Sequence, residues 1–193
     1  MKSIDEARLE TDLAYRYEFV KDFIHFGDED VAAIRAVIGQ FAPKIPGIVE
    51  ATYVKLLGYD ATARHFVPRQ HGFEGEPPVS IDDLTEYHEQ IQFRKEHLKR
   101  YLANLLGHSY DAKLASYLDM VGKMHTPKAG NKDIDVPLVQ MNVLIGLLSD
   151  ILIETIMNLD IERDTAIRAI RAFNKLLWIQ NDMVVKHYAV PHH

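Results

Sequence analysis

The sequence predicts an all-α protein, on three observations. Apolar residues recur at intervals of three and four through most of the chain, the period of one helix face. Sustained apolar–polar alternation is absent, and no Asn-Gly or Asp-Gly pair marks a tight hairpin. Prolines stand at or between the ends of the periodic segments, where they start or stop helices.

The first helix is expected from about Ser3 to His25, with Tyr15, Phe19, Phe23 and Phe26 at roughly helical spacing. Gly27 breaks it. Asp28 is placed to cap the next helix, with Glu29 and Asp30 at its positive end. Pro43 and Pro46 end that helix, and Pro46 suits the first turn of another, in which Ile48, Val49, Thr52, Tyr53 and Leu56 share a face. Residues Val67 to Val79 hold three prolines and two glycines and form the clearest loop. A helix beginning at Ser80 or Asp82 should carry Tyr87, Ile91, Arg94, Leu98 and Leu105 and close at Gly107. Asp111 opens another that reaches His125, because Pro127 disfavours helical geometry at Thr126. Two long helices follow, from about Pro137 to Asn158 and from about Ile161 to Tyr188. The last has an apolar stripe through Ile167, Ile170, Phe173, Leu177, Met183 and Val184.

Composition narrows the function. At 193 residues and 47% hydrophobic content, the chain fits one domain with a substantial core. The net charge of −6 argues against a general nucleic-acid binder and against attachment to anionic membranes. The absence of cysteine excludes disulfides, iron–sulfur clusters and thiol catalysis. The stretch MKSIDEARLETDL has no apolar segment of the secretory kind. The most apolar run, Val136 to Met157, is interrupted by Gln140, Asn142, Ser149, Asp150 and Glu154, and is read as a buried helix of a soluble protein. These features together suggest a cytoplasmic protein. The terminal His192 and His193 carry no argument.

Most familiar chemistry is missing from the sequence. There is no HExxH, no paired Glu-x-x-His, no phosphate-binding Gly-rich loop and no GxSxG elbow. His65 and His71, six apart across a proline, have no recognised ligand spacing. His125, in VGKMHTPKAG, allows two readings. A histidine at a helix end is commonly a partner of the helix dipole or a surface residue. It can also donate Nδ1–H to a carbonyl of its own last turn, leaving Nε2 free for a metal, as the proximal histidine of haem proteins does. Tyr53, Phe66 and Leu98 are each unremarkable as packing residues, but they precede His125 in the order found in globins.

Four stretches resemble the protoglobin and sensor-globin family: YEFVKDFIHFGDEDVAAI (residues 17–34), IVEATYVKLLGYDATARHF (48–66), SYDAKLASYLDMVGKMH (109–125) and the Val136–Pro137 pair that opens a helix. The resemblance implies a globin fold, a three-over-three helical sandwich. It divides the chain into an N-terminal extension helix over residues 1–27 and a globin domain over residues 28–190. It implies haem b as cofactor, with His125 as proximal iron ligand and Tyr53 as distal hydrogen-bond donor to the gas. Phe66 would pack on the porphyrin face, Arg94 and Leu98 would line or flank the distal side, and Leu147 and Ile151 would close the pocket. Two features depart from the family or bear on coordination. Gly130 stands five residues after His125, where many sensor globins have glycine four on, and His97 becomes a second axial ligand if its helix is rotated by one residue.

The function so implied is reversible binding of O₂, CO or NO, as gas sensor or carrier. A haem enzyme (NO dioxygenase or peroxidase-like) and a haem-free helical interaction domain are the alternatives. The partners implied are a diatomic gas, a second copy of the chain through the last two helices, and a separate signalling partner. No nucleic acid and no membrane are expected. No kinase, cyclase or methyl-accepting segment follows the last helix, which suits a stand-alone protein; a globin domain cut from a longer sensor is the other reading.

Overall fold

The computed structural model describes residues 1–129 and 131–189. Gly130, the expected domain end at Val190, and His192–His193 lie outside the described residues. Among the described residues there are nine α-helices and no strand.

The N-terminal segment forms two helices rather than the expected one, α1 (Glu6–Thr11) and α2 (Leu13–Phe23). Asp12 makes the break. Its carboxylate accepts the Tyr15 N–H at 3.0 Å and binds Arg8 at 2.7 Å, so its side chain caps the second helix while its backbone leaves the first. The end of α2 turns on His25, which adopts φ +56°, while Phe26 N–H reaches back to Lys21 O at 2.8 Å. Helix α3 (Asp28–Phe41) starts one residue earlier than its acidic cluster suggests. Gly27 is the cap, and Asp30 accepts the Gly27 N–H at 3.0 Å. Helix α4 (Ile45–Leu57) carries Pro46 in its first turn, as expected, and a short α5 (Asp60–Ala63) follows.

Helix α6 (Glu89–Gly107) begins well after Ser80. Residues Ile81–Asp83 make a single 3₁₀ turn, because the Asp83 carboxylate accepts the N–H groups of Val79 and Ser80 and closes the turn on itself. Tyr87 is therefore off the helix and 78% exposed. Helices α7 (Ala112–Lys123), α8 (Leu138–Met157) and α9 (Arg163–Val185) complete the chain.

Helix α9 packs on α3, α8 and α7, and α4 packs on both α6 and α8. These contacts sort the helices into two layers, α3, α6 and α7 against α4, α8 and α9, which is the expected three-over-three sandwich. Phe41 and Phe173 stack at 5.0 Å where α3 crosses α9. Helix α8 is buried on one face only, through Met141, Ile145, Leu148, Leu152 and Ile156. Val139, Val143 and Met157 on its other side are each more than 60% exposed, so the helix expected to be buried is buried along one face. It is the one helix among the described residues long and apolar enough to cross a membrane by length and composition. Ile167, expected on the inner stripe of α9, is 45% exposed, and Trp178 is 58% exposed.

One pair of neighbours stays apart. Helices α6 and α7 are joined by four residues, 108–111, with Tyr110 at φ +53°. Near this junction Tyr101 and Tyr117 stack at 5.8 Å. Farther along, α6 packs on α4 while α7 packs on α9 and α2, and the two are not a closely packed pair. The start of α6 and the end of α7 thus pack on different partners.

Candidate functional site

His125 stands just past the end of α7. The α-helix ends at Lys123, slightly before the expected position, and the chain leaves through a turn into the 3₁₀ segment Pro127–Ala129. Asp111 caps the other end by accepting the Lys113 N–H at 2.8 Å. His125 Nδ1 lies 2.8 Å from Val121 O. A carbonyl only accepts, so Nδ1 carries the proton and Nε2 presents a lone pair. Val136 N–H donates to His125 O at 3.0 Å, and Tyr188 Oη–H donates to Val136 O at 2.8 Å. The turn that aims the imidazole is thus tied to the segment following α9. Burial, and after it the positive charge of Arg94, push the imidazole pKa down to about 4 against the opposing bond to Val121. Near neutral pH the ring is uncharged, the form that binds a metal.

This shift has a measurable consequence for the haem-free chain. Unfolded, the ring titrates near 6.5; folded, near 4. Between these values only the unfolded chain takes up the proton. The stabilising contribution is complete above pH 6.5 and is lost as the pH falls towards 4, by ~3 kcal/mol. Burial also lowers His65 and His187, which adds to the slope in the same direction. Urea unfolding of the apoprotein at pH 7 and pH 4.5 should show His125→Phe with a clearly shallower pH dependence than the wild type. An unchanged slope would mean that His125 is solvated.

Tyr53, on α4, is 3% exposed. Its ring lies 5.6 Å from that of Phe66, tilted by 47°. Burial raises the phenol pKa, against an opposing pull from Arg94, so the hydroxyl remains a protonated donor. Phe66 lies in the 3₁₀ turn Arg64–Phe66 and packs against the core. Two glutamines that sequence reasoning passed over hold this turn. Gln90 Nε2–H donates to Phe66 O at 2.7 Å and to Pro68 O at 3.1 Å, while its Oε1 accepts Gln70 N–H at 3.0 Å. Gln70 Nε2–H donates to His65 O at 2.9 Å. Both are buried. Nothing local distinguishes them, since glutamine beside a polar loop reads as a surface residue.

Arg94 and Leu98 share the inner face of α6 with buried Ile91. Arg94 Nε is buried without a hydrogen-bond partner, and its charge acts on both Tyr53 and His125. Tyr53, Phe66, Arg94 and His125 are thereby brought towards one place. Ile151 packs against the core beside the buried stripe of α8, whereas half-buried Leu147 sits farther round, towards exposed Val143. His97 lies about 100° round α6 from Leu98. Its Nδ1–H donates to Phe93 O at 2.8 Å, and its ring lies 4.2 Å from that of Phe93, tilted by 56°. The helix rotation that would make it an axial ligand is not the one observed.

A neutral histidine with Nε2 unbonded just past α7, and a buried phenol on α4 beside Phe66, are a donor set that fits a flat iron macrocycle. Among the described residues no group of three or more His, Asp or Glu could hold a metal unaided, so a metal on His125 would need other ligands from a cofactor. A two-layer helical sandwich with this arrangement is a globin. The protoglobin family model matches residues 13–192, and the chain belongs to that family. Among solved structures, the globin domain of a Geobacter sulfurreducens globin-coupled sensor is similar, with a TM-score of 0.69 over 89% of this chain and 96% of that one. At 18% identity this likeness concerns the fold. Comparison with the curated proteins finds no match.

Proposed function

We propose that the chain is a haem-binding globin that takes up diatomic gases reversibly, as sensor or carrier, and is not an enzyme. The observation that carries this reading is the His125 imidazole, neutral and fixed by its bond to Val121 O at 2.8 Å, with Nε2 left free. Haem b, when bound there, supplies the iron that takes the gas. His125 holds that iron, and Phe66 packs against the ring. Tyr53 donates a hydrogen bond to the gas, which is strong in a dry pocket because water does not compete for it. Leu98 and Ile151 keep the pocket apolar. Residues 1–27 form an N-terminal extension to the globin domain that follows, and the setting is cytoplasmic.

Absorption spectra of the ferric, ferrous, O₂ and CO forms test this reading. A Soret band that shifts with each ligand supports it, and no band after haem reconstitution refutes it. Tyr53→Phe should speed O₂ release by about tenfold or more and CO release by much less, because bound O₂ carries more negative charge. Stopped-flow displacement measures both rates; equal changes would remove Tyr53 from this role.

The exposed apolar side of α8, with Trp178 and Ile167 on α9, supports pairing with a second copy of the chain. Light scattering of the purified protein decides between monomer and dimer.

A further inference from the structure

We propose that Tyr188 is a positioning residue for the iron ligand, the tip of a clasp by which the chain just past α9 fixes the turn that carries His125. The proposal rests on the haem reading above and deepens it by naming what sets the pose of the proximal imidazole.

The bonds that His125 makes with its own helix are local. Its ring is oriented by Val121 O, its N–H reaches Gly122 O at 3.2 Å, and the Thr126 N–H reaches Lys123 O at 3.0 Å. These bonds shape the turn but do not tie it to the rest of the molecule. Three consecutive residues past α9 do that. Lys186 Nζ pairs with Asp119 Oδ1 at 2.7 Å. His187 Nε2 lies 3.0 Å from both Asp119 O and Asp119 Oδ1, which only accept, so Nε2–H is the donor. His187 O accepts from Lys128 Nζ at 2.6 Å. Tyr188 Oη–H donates to Val136 O at 2.8 Å, and Val136 N–H donates to His125 O at 3.0 Å. One short piece of chain therefore grips residues before the ligand, at Asp119, and after it, at Lys128 and Val136.

The two sides of the ligand are held differently. On the α7 side the hold is packing: a Cβ on Gly122, three residues before His125, would stand 2.8 Å from Val184 Cα and 2.9 Å from Met183 O, so α7 and α9 meet backbone to backbone. Beyond the ligand the hold is hydrogen bonding, through Lys128 and Tyr188. The Lys128 bond is exposed, where water competes for it, and the Tyr188 bond is half-buried. Tyr188 thus carries the larger share, and it acts through the one residue, Val136, that bonds the His125 backbone from outside α7. Without its hydroxyl, the segment that receives His125 O is free to shift, and the imidazole rocks with it.

The test compares the full, haem-loaded chain with two variants. Tyr188→Phe removes only the hydroxyl. Arg16→Met removes the pair with Asp182 at 2.7 Å, also on the last turn of α9, but the bonds of Arg16 reach only Leu9, Glu10 and Asp182. Three readouts are taken: the iron–histidine stretching band of the ferrous form by resonance Raman, hydrogen exchange at the Val136 amide of the CO form, and haem transfer to apomyoglobin. Tyr188→Phe should move the iron–histidine band to lower frequency and speed both Val136 exchange and haem loss by about fivefold. Arg16→Met should leave the band and the Val136 amide as in the wild type. An unmoved band or unchanged Val136 exchange in Tyr188→Phe would overturn the proposal. So would equal changes in both variants, which would mark a general loss of stability. A wild-type chain with no Soret band sinks the haem reading and this one with it, whereas a normal Soret band with an unmoved iron–histidine band in Tyr188→Phe sinks this one alone.

Discussion

His125→Ala should yield a folded chain whose haem spectrum is lost or reduced to that of loosely held haem, and millimolar imidazole should restore the wild-type Soret position. The expectation follows from how little else His125 does. Its side chain makes one hydrogen bond, to Val121 O. Losing it costs about 1 kcal/mol, small beside the stability of a domain of this size. The backbone of His125, which accepts from Val136 N–H, is untouched by the substitution. The turn therefore persists, and the vacated space admits a free imidazole of the same shape. Far-UV circular dichroism checks the fold and the Soret band checks the ligand. A variant that keeps the wild-type spectrum without imidazole would show that the iron ligand is another residue.

Gly122→Ala should destabilise the protein by about 1–3 kcal/mol and loosen haem with it. Two effects compete at this position. Alanine gains about 1 kcal/mol over glycine in a helix interior. Against that, a Cβ at residue 122 would stand 2.8 Å from Val184 Cα and 2.9 Å from Met183 O. Both are backbone atoms of α9, which is packed on α3 and α8 and cannot swing aside as a side chain would. Overpacking against backbone is the larger effect. The displacement would also disturb the Asp119 cluster with Lys186 and His187, and through α7 the position of His125. Gly146→Ala is the control: nothing lies within 4 Å of a Cβ there, and the residue is on an exposed side of α8. It should stabilise by ~0.5–1 kcal/mol. Urea midpoints of the two variants should move in opposite directions; movement in the same direction would mean that α7 and α9 are not tightly crossed.

The punctuation of the helices was largely legible in the sequence. Pro127 ends α7, Asp111 starts it, Gly107 closes α6 and Pro46 sits in the first turn of α4. Where the reading failed, short side chains made bonds that compete with a helix. Asp12 splits the first helix by capping the second. Asp83 closes a single turn and delays α6 until His88 can cap it, its Nδ1 accepting Gln90 N–H at 3.1 Å. An acidic residue near a helix start favours the helix or interrupts it according to which N–H groups it meets, and residue type alone does not say which.

The candidate site divides in the same way. His125 and Tyr53 stand out in the sequence as candidates by residue type and order. The tautomer of His125 was also within reach, since its partner is four residues away on its own helix. Gln90 and Gln70 were not, because their bonds join the loop to α6 across twenty residues or more.

By itself the sequence determined the helices, most of their ends and the turn that aims His125, because those depend on bonds and periodicities within a few residues. Tertiary structure alone decided that α6 packs on α4 while α7 packs on α9, that one face of α8 stays uncovered, and that Lys95 is buried against Glu50. These depend on which distant elements meet, and a burial or a charge pair has no energy until both partners are in place.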